Sequence, residues 1–139
     1  MMDKWIINPD GLAKPVGFNH GIVVTGGRLL FLAGQGANDR DGNIVAQGDL
    51  VGQYEQVLRN LQAVVEAAGG VMQDIVKLNI FVLDRDDYIA KLKPIGEVHR
   101  QFFGKYYPTM ALFEIKRLFQ DGALIEIEGM AVIQGESEE

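Results

Sequence analysis

The chain has 139 residues, 47% of them apolar, with 13 Lys and Arg against 19 Asp and Glu, a net charge of −6, and no cysteine. That acidic balance argues against a general binder of phosphate backbones, which needs a basic stripe. The missing cysteines remove disulfides, thiolate nucleophiles and Cys-ligated zinc together, and two histidines alone make no recognisable zinc ligand set. Residues 1–139 are the length of a single domain, whose small core would gain from oligomerisation. No basic segment leading into an apolar run opens the chain, and no apolar run approaches transmembrane length, so a cytoplasmic protein is the expectation.

Trp5 to Ile7 reads as an edge strand ended by Asn8-Pro9-Asp10-Gly11, with Trp5 packed against a sheet. A loop, Val16-Gly17-Phe18-Asn19-His20-Gly21, then leads into Ile22–Thr25, Gly26-Gly27 and Leu29–Gln35. This spacing predicts a β-hairpin whose second strand, apolar throughout, is buried on both faces. Gly34-Gln35-Gly36 lacks the third glycine of a nucleotide loop and does not open a helix. Asp39-Arg40-Asp41-Gly42-Asn43 lacks the terminal Glu of a calcium loop and reads as surface.

Asp49 to Ala68 is the clearest helix. Leu50, Tyr54, Val57, Leu58, Leu61, Val64, Val65 and Ala68 recur at helical spacing, Asp49 suits the N-cap and Gly69-Gly70 the stop. Gln53, Gln56, Arg59, Asn60 and Glu66 are assigned to the opposite, wet side. Asp74 to Leu83 reads as a strand, and Tyr88 to Phe103 as a second helix, with Pro94 moving its start to about Lys93. His99 falls on the buried side of that helix, as a core histidine rather than a ligand.

Tyr107 to Ile133 reads as two strands around the turn Gln120-Asp121-Gly122, a second hairpin. Period-two alternation places Ile125, Ile127, Gly129, Ala131 and Ile133 on a core face, and Leu124, Glu126, Glu128, Met130 and Val132 on the other. Met110, Leu112 and Glu114 likewise share one side of the preceding strand. Two readings of the carboxylate-bearing face stand: a solvated face, or a partly buried acidic site at a subunit contact, which the neighbouring methionines and leucine favour. Two helices among these strands give an α+β fold, both helices on one face of a mixed sheet. The other face needs a partner, and a second copy of the chain would serve.

Pro108-Thr109, Ile125-Glu126-Ile127-Glu128-Gly129-Met130-Ala131, the passage Asn60–Val82 and Phe102-Phe103 resemble the RidA family, also called YjgF or L-PSP. The resemblance runs from about Val16 to Ile133. It implies a chorismate-mutase-like fold and a homotrimer with three equivalent clefts between subunits. Family members with the full motif hydrolyse enamines and imines, formed by amino acid dehydration, to keto acids and ammonia, without a cofactor.

Carried over position by position, the signature Arg that holds the substrate carboxylate falls at Met110, a Cys at Leu112, a pocket Tyr at Phe18, a Ser at Ala33 and a helix Asn near Gly96. The strand Glu is kept as Glu126. The resemblance thus implies substrate-binding positions Phe18, Ala33, Gly96, Met110 and Leu112, with Glu126 as the group that could move protons, and no metal. It describes a pocket re-lined for a less polar or uncharged ligand. Glu126 is expected beside Met110, Leu112 and Phe18. Three functions follow: a deaminase-like hydrolase, weak or inactive on carboxylate-bearing imines; a non-catalytic ligand-binding or regulatory module; or the endoribonuclease activity ascribed to some relatives. The charge, the missing basic-aromatic patch and the missing His pair disfavour the last. Expected partners are further copies of the chain and a small molecule at the subunit interface, with no membrane.

Overall fold

A computed structural model describes residues 3–134. The elements are β1 (Asp3–Ile7), β2 (Gly21–Thr25), β3 (Arg28–Gln35), α1 (Leu50–Ala67), β4 (Ile75–Val82), α2 (Arg85–Ala90), α3 (Leu92–Phe103), β5 (Thr109–Glu114) and β6 (Ile125–Ile133). The main sheet has the order β3-β6-β4-β5, while β1 and β2 form a separate antiparallel ribbon. β5 runs parallel to β4, and the other pairings are antiparallel. The architecture is the expected mixed α+β layer, with α1 and α3 packed together and α1 laid on β3 and β6.

Neither expected hairpin forms. β2 pairs with β1 and β3 with β6, although only Gly26-Gly27 separates β2 from β3. β5 and β6 are separated by β4, because a parallel β4–β5 pair needs a crossover and α2 with α3 supplies it. β6, the longest strand, takes a central place with partners on both edges.

The register sorts the side chains. Leu78 pairs with Met110 and Gly129, and Ile80 with Leu112 and Ile127. Met110 and Leu112 therefore face the helices with the core residues. Phe81 pairs with Phe113 and Glu126, and Asn79 with Ala111 and Glu128, on the open face. The two faces of β6 are as its alternation predicts. β5 is turned over relative to the reading that grouped Met110 and Leu112 with the glutamates.

β3 is not buried on both faces, because the helices cover only one. Leu32 is buried, but Leu29 is 58% and Phe31 71% exposed on the open face. Trp5, on the separate ribbon, is 47% exposed rather than packed.

α1 begins where the sequence predicts. The Asp49 carboxylate accepts from the Gly52 N–H at 3.0 Å, and Gly69, at φ +87°, turns the chain out of the helix. Gln53 is not on the wet side but fully buried. Its amide donates to the carbonyls of Ala46 (3.3 Å) and Gly122 (3.0 Å) and accepts from the Leu124 N–H (2.8 Å). It thereby fixes Ala46, at φ +54°, and the loop entering β6. The expected second helix is two, α2 and α3, broken at Lys91. Pro94 is the third residue of α3, in the first turn, where its missing N–H costs nothing.

Candidate functional site: a groove and an open sheet face

The loop ahead of β2 is tied down by hydrogen bonds between distant residues. The Asn19 amide donates to the Tyr107 carbonyl (2.6 Å) and its backbone N–H to the Pro108 carbonyl (3.2 Å). Asn8 accepts from the His20 N–H (2.8 Å) and donates to the Asn19 side chain (2.9 Å). The His20 ring donates to the Ala13 carbonyl (2.7 Å) and meets Phe18 edge-on, with centroids 5.2 Å apart. These bonds hold Val16, Gly17 and Phe18 over the start of β5.

Under that loop, between α2, α3 and β5, runs a groove of two adjoining parts of about 300 and 290 Å³. Val16, Gly17, Tyr88, Leu92 and Met110 line both. One end is apolar, closed by Phe18, Ile80 and Leu112. The other end carries Tyr54, Gly96, His99, Arg100 and Tyr107.

His99 is the core histidine expected, 4% exposed. Its ring lies between Phe103 and Tyr107, each with centroid 4.5 Å away, and donates to the Tyr106 carbonyl at 2.9 Å. Burial, and then the nearby Arg100 charge, lower its pKa, while the bond to Tyr106 opposes them, so the ring is neutral at pH 7. Burial pushes the Tyr88 phenol up to about 12 and Tyr54 higher still, with Tyr88 and Tyr107 adding to the rise at Tyr54. These phenols stay protonated and can donate hydrogen bonds.

The structure brings four of the six expected site residues together: Phe18, Gly96, Met110 and Leu112 all line the groove. Ala33 and Glu126 lie elsewhere, on the open face of the sheet. Glu126 is half-buried against β3, where a Cβ on Gly34 would stand 2.8 Å from its Oε2. Beside it, Phe81 and Phe113 stack with centroids 5.5 Å apart. Glu128, one pair further along, is exposed and accepts from Asn79 at 3.2 Å. Within one chain, then, Glu126 is not beside Met110, Leu112 and Phe18: the sheet lies between them.

The sequence reading missed Arg100 as a groove residue. The signal was present, since Arg100 follows Gly96 by four and helical side chains lean toward the preceding turn. Among the described residues, no group of three or more His, Asp or Glu is placed to hold a metal ion, and no helix is long and apolar enough to cross a membrane.

Residues 12–133 match the model of the endoribonuclease L-PSP family. A RutC family protein of Pyrococcus horikoshii is 35% identical over 92% of this chain and 97% of its own length. A protein of Dermatophagoides farinae named 2-iminobutanoate/2-iminopropanoate deaminase is 33% identical, covering 96% of this chain and 100% of its own. The crystal structure of a Rid family protein from Yersinia pestis superposes with a TM-score of 0.84, at 32% identity, over 94% of this chain and 98% of that one. The chain belongs to the RidA/YjgF/L-PSP family.

Proposed function

We propose that the protein is a homotrimer that binds a small imine, enamine or related carbonyl metabolite in clefts between subunits, with weak hydrolysis of imines that carry a carboxylate. One observation carries the reading. The expected site residues are divided between two surfaces of one chain, the groove and the open sheet face, and only a second copy can bring them together. The open face also exposes Leu29 (58%), Phe31 (71%) and Phe113 (47%), more apolar surface than a face left in water needs. Joining the groove of one copy to the open face of the next pairs unlike surfaces, and such head-to-tail contacts give a ring where the rotation between copies closes. The number three comes from the family likeness. In the ring, Glu126 of one copy faces the groove of its neighbour and can orient or deprotonate water.

Light scattering should give about 46 kDa, three times 15.3 kDa. A monomer at micromolar concentration sinks both the ring and the shared cleft.

Glu126, not Glu128, is the carboxylate of the cleft, because Glu126 is half-buried at the β3 edge and Glu128 is exposed and occupied by Asn79. With phenylpyruvate as probe, Glu126→Gln should at least halve the ligand-induced rise in Tm, and Glu128→Gln should leave it unchanged. Equal effects, or a larger one at Glu128, reject the assignment.

A further inference from the structure

We infer that Arg100 is a carboxylate-binding residue of the groove, and that the ligand is a monocarboxylate with a bulky apolar body. The inference rests on the groove being the ligand site and adds which end of the ligand lies where.

Arg100 stands one helical turn after Gly96, and its side chain leans back over that position. Gly96 has no side chain to keep it away: a Cβ there would lie 3.5 Å from the Arg100 guanidinium. The charge therefore rests across a bare patch of helix at the edge of the groove.

Within one chain it has no counter-ion there. The salt bridges among the described residues join Arg59 to Glu55, Arg85 to Asp86 and Lys91 to Asp87. The residues lining the groove are apolar, phenolic or glycine, apart from neutral His99 and Arg100 itself, and none is acidic. Arg100 is an exposed cation at the rim of a groove that is otherwise uncharged within the chain, and such a cation favours an anion over a neutral ligand.

A single planar fork suits a carboxylate, which it can hold through two parallel hydrogen bonds. A phosphate dianion would ask for more donors and more charge. Tyr54, Tyr88 and Tyr107 bring phenol hydroxyls that can complete a carboxylate's shell. From that end the groove continues to the apolar part walled by Phe18, Ile80 and Leu112, whose volume of about 300 Å³ admits an aromatic ring or branched aliphatic group. The family's signature Arg, absent at Met110, is thus not the only place from which this chain can hold a carboxylate.

The test compares 3-phenylpropanoate with 3-phenylpropanamide, equal in shape and different in charge, by calorimetry at pH 7.5 and low salt. The acid should bind at least tenfold tighter than the amide. Arg100→Gln should erase that preference, Arg100→Lys should keep part of it, and Phe18→Ala should weaken both compounds alike. If acid and amide bind equally and both are weakened by Phe18→Ala, the groove stands as the ligand site and the role of Arg100 is overturned. If Phe18→Ala affects neither, or neither binds, the groove itself is the wrong site and both readings fall.

Discussion

Imines of small amino acids, which carry a carboxylate on the reacting carbon, should be hydrolysed about a thousandfold less well by this protein than by the relative named 2-iminobutanoate/2-iminopropanoate deaminase. The reaction adds water across C=N and releases ammonia and a keto acid. The family resemblance implies that the Arg which holds the substrate's carboxylate in members with the full motif falls at Met110 here. A buried charge without its partner costs several kcal/mol. Arg100 does not replace it for small substrates, because it stands on α3, at the phenolic end of the groove. A three-carbon imino acid held there leaves the apolar end empty, and one held at the apolar end leaves its carboxylate unpaired. Met110→Arg alone should restore only part of the rate, since Phe18, Ala33 and Gly96 also lack polar groups. The imine is generated in place with an amino acid oxidase, and keto acid release is followed against semicarbazide as the competing trap. Acceleration equal to that of the relative would show that position 110 does not decide the chemistry.

Much of the frame was legible because it is local. Asp49 before an apolar stripe and Gly69 after it define α1, and Ile-Glu-Ile-Glu sorts the two faces of β6 without knowledge of its neighbours. What could not be read was non-local. The face on which Met110 and Leu112 lie depends on β5 pairing parallel to β4 rather than with β6, and one step of register would turn every side chain over. The division of the site between two faces follows from that pairing, so six positions carried over from a likeness gave identities but not their grouping. Two misses were local and avoidable. Gln53 is three residues after Leu50 and four before Val57, on the buried stripe by spacing, and only its polarity argued for the wet side. Arg100 was passed over because Gly96 was read as a lost side chain and not as the space into which a neighbour could fold.

Gly129→Ala should destabilise the fold by about 3 kcal/mol, roughly 10 °C in Tm, although it adds one methyl group. Gly129 breaks the run of large residues on the core face of β6, between Ile127 and Ala131, and its backbone dihedrals are not the cause, for its φ is not among the positive ones. The reason is its neighbour. β4 carries a bulge between Ile75 and Lys77, beside its pairing of Leu78 with Gly129. A Cβ on Gly129 would collide with the Lys77 carbonyl oxygen and stand 2.9 Å from Leu78 Cδ2. The carbonyl is backbone inside a paired strand and cannot turn away as a side chain would, so the strands must part or the bulge must shift. Because β6 carries both Gly129 and Glu126 and pairs with β3, the strain would run along β6 toward Glu126 and across to the β3 edge that carries Ala33. Gly11→Ala is the control, since nothing lies within 4 Å of its Cβ and it should leave Tm unchanged. Thermal unfolding of the two variants side by side decides the matter, and equal Tm values would mean that the close approach of β4 to Gly129 is relieved at no cost.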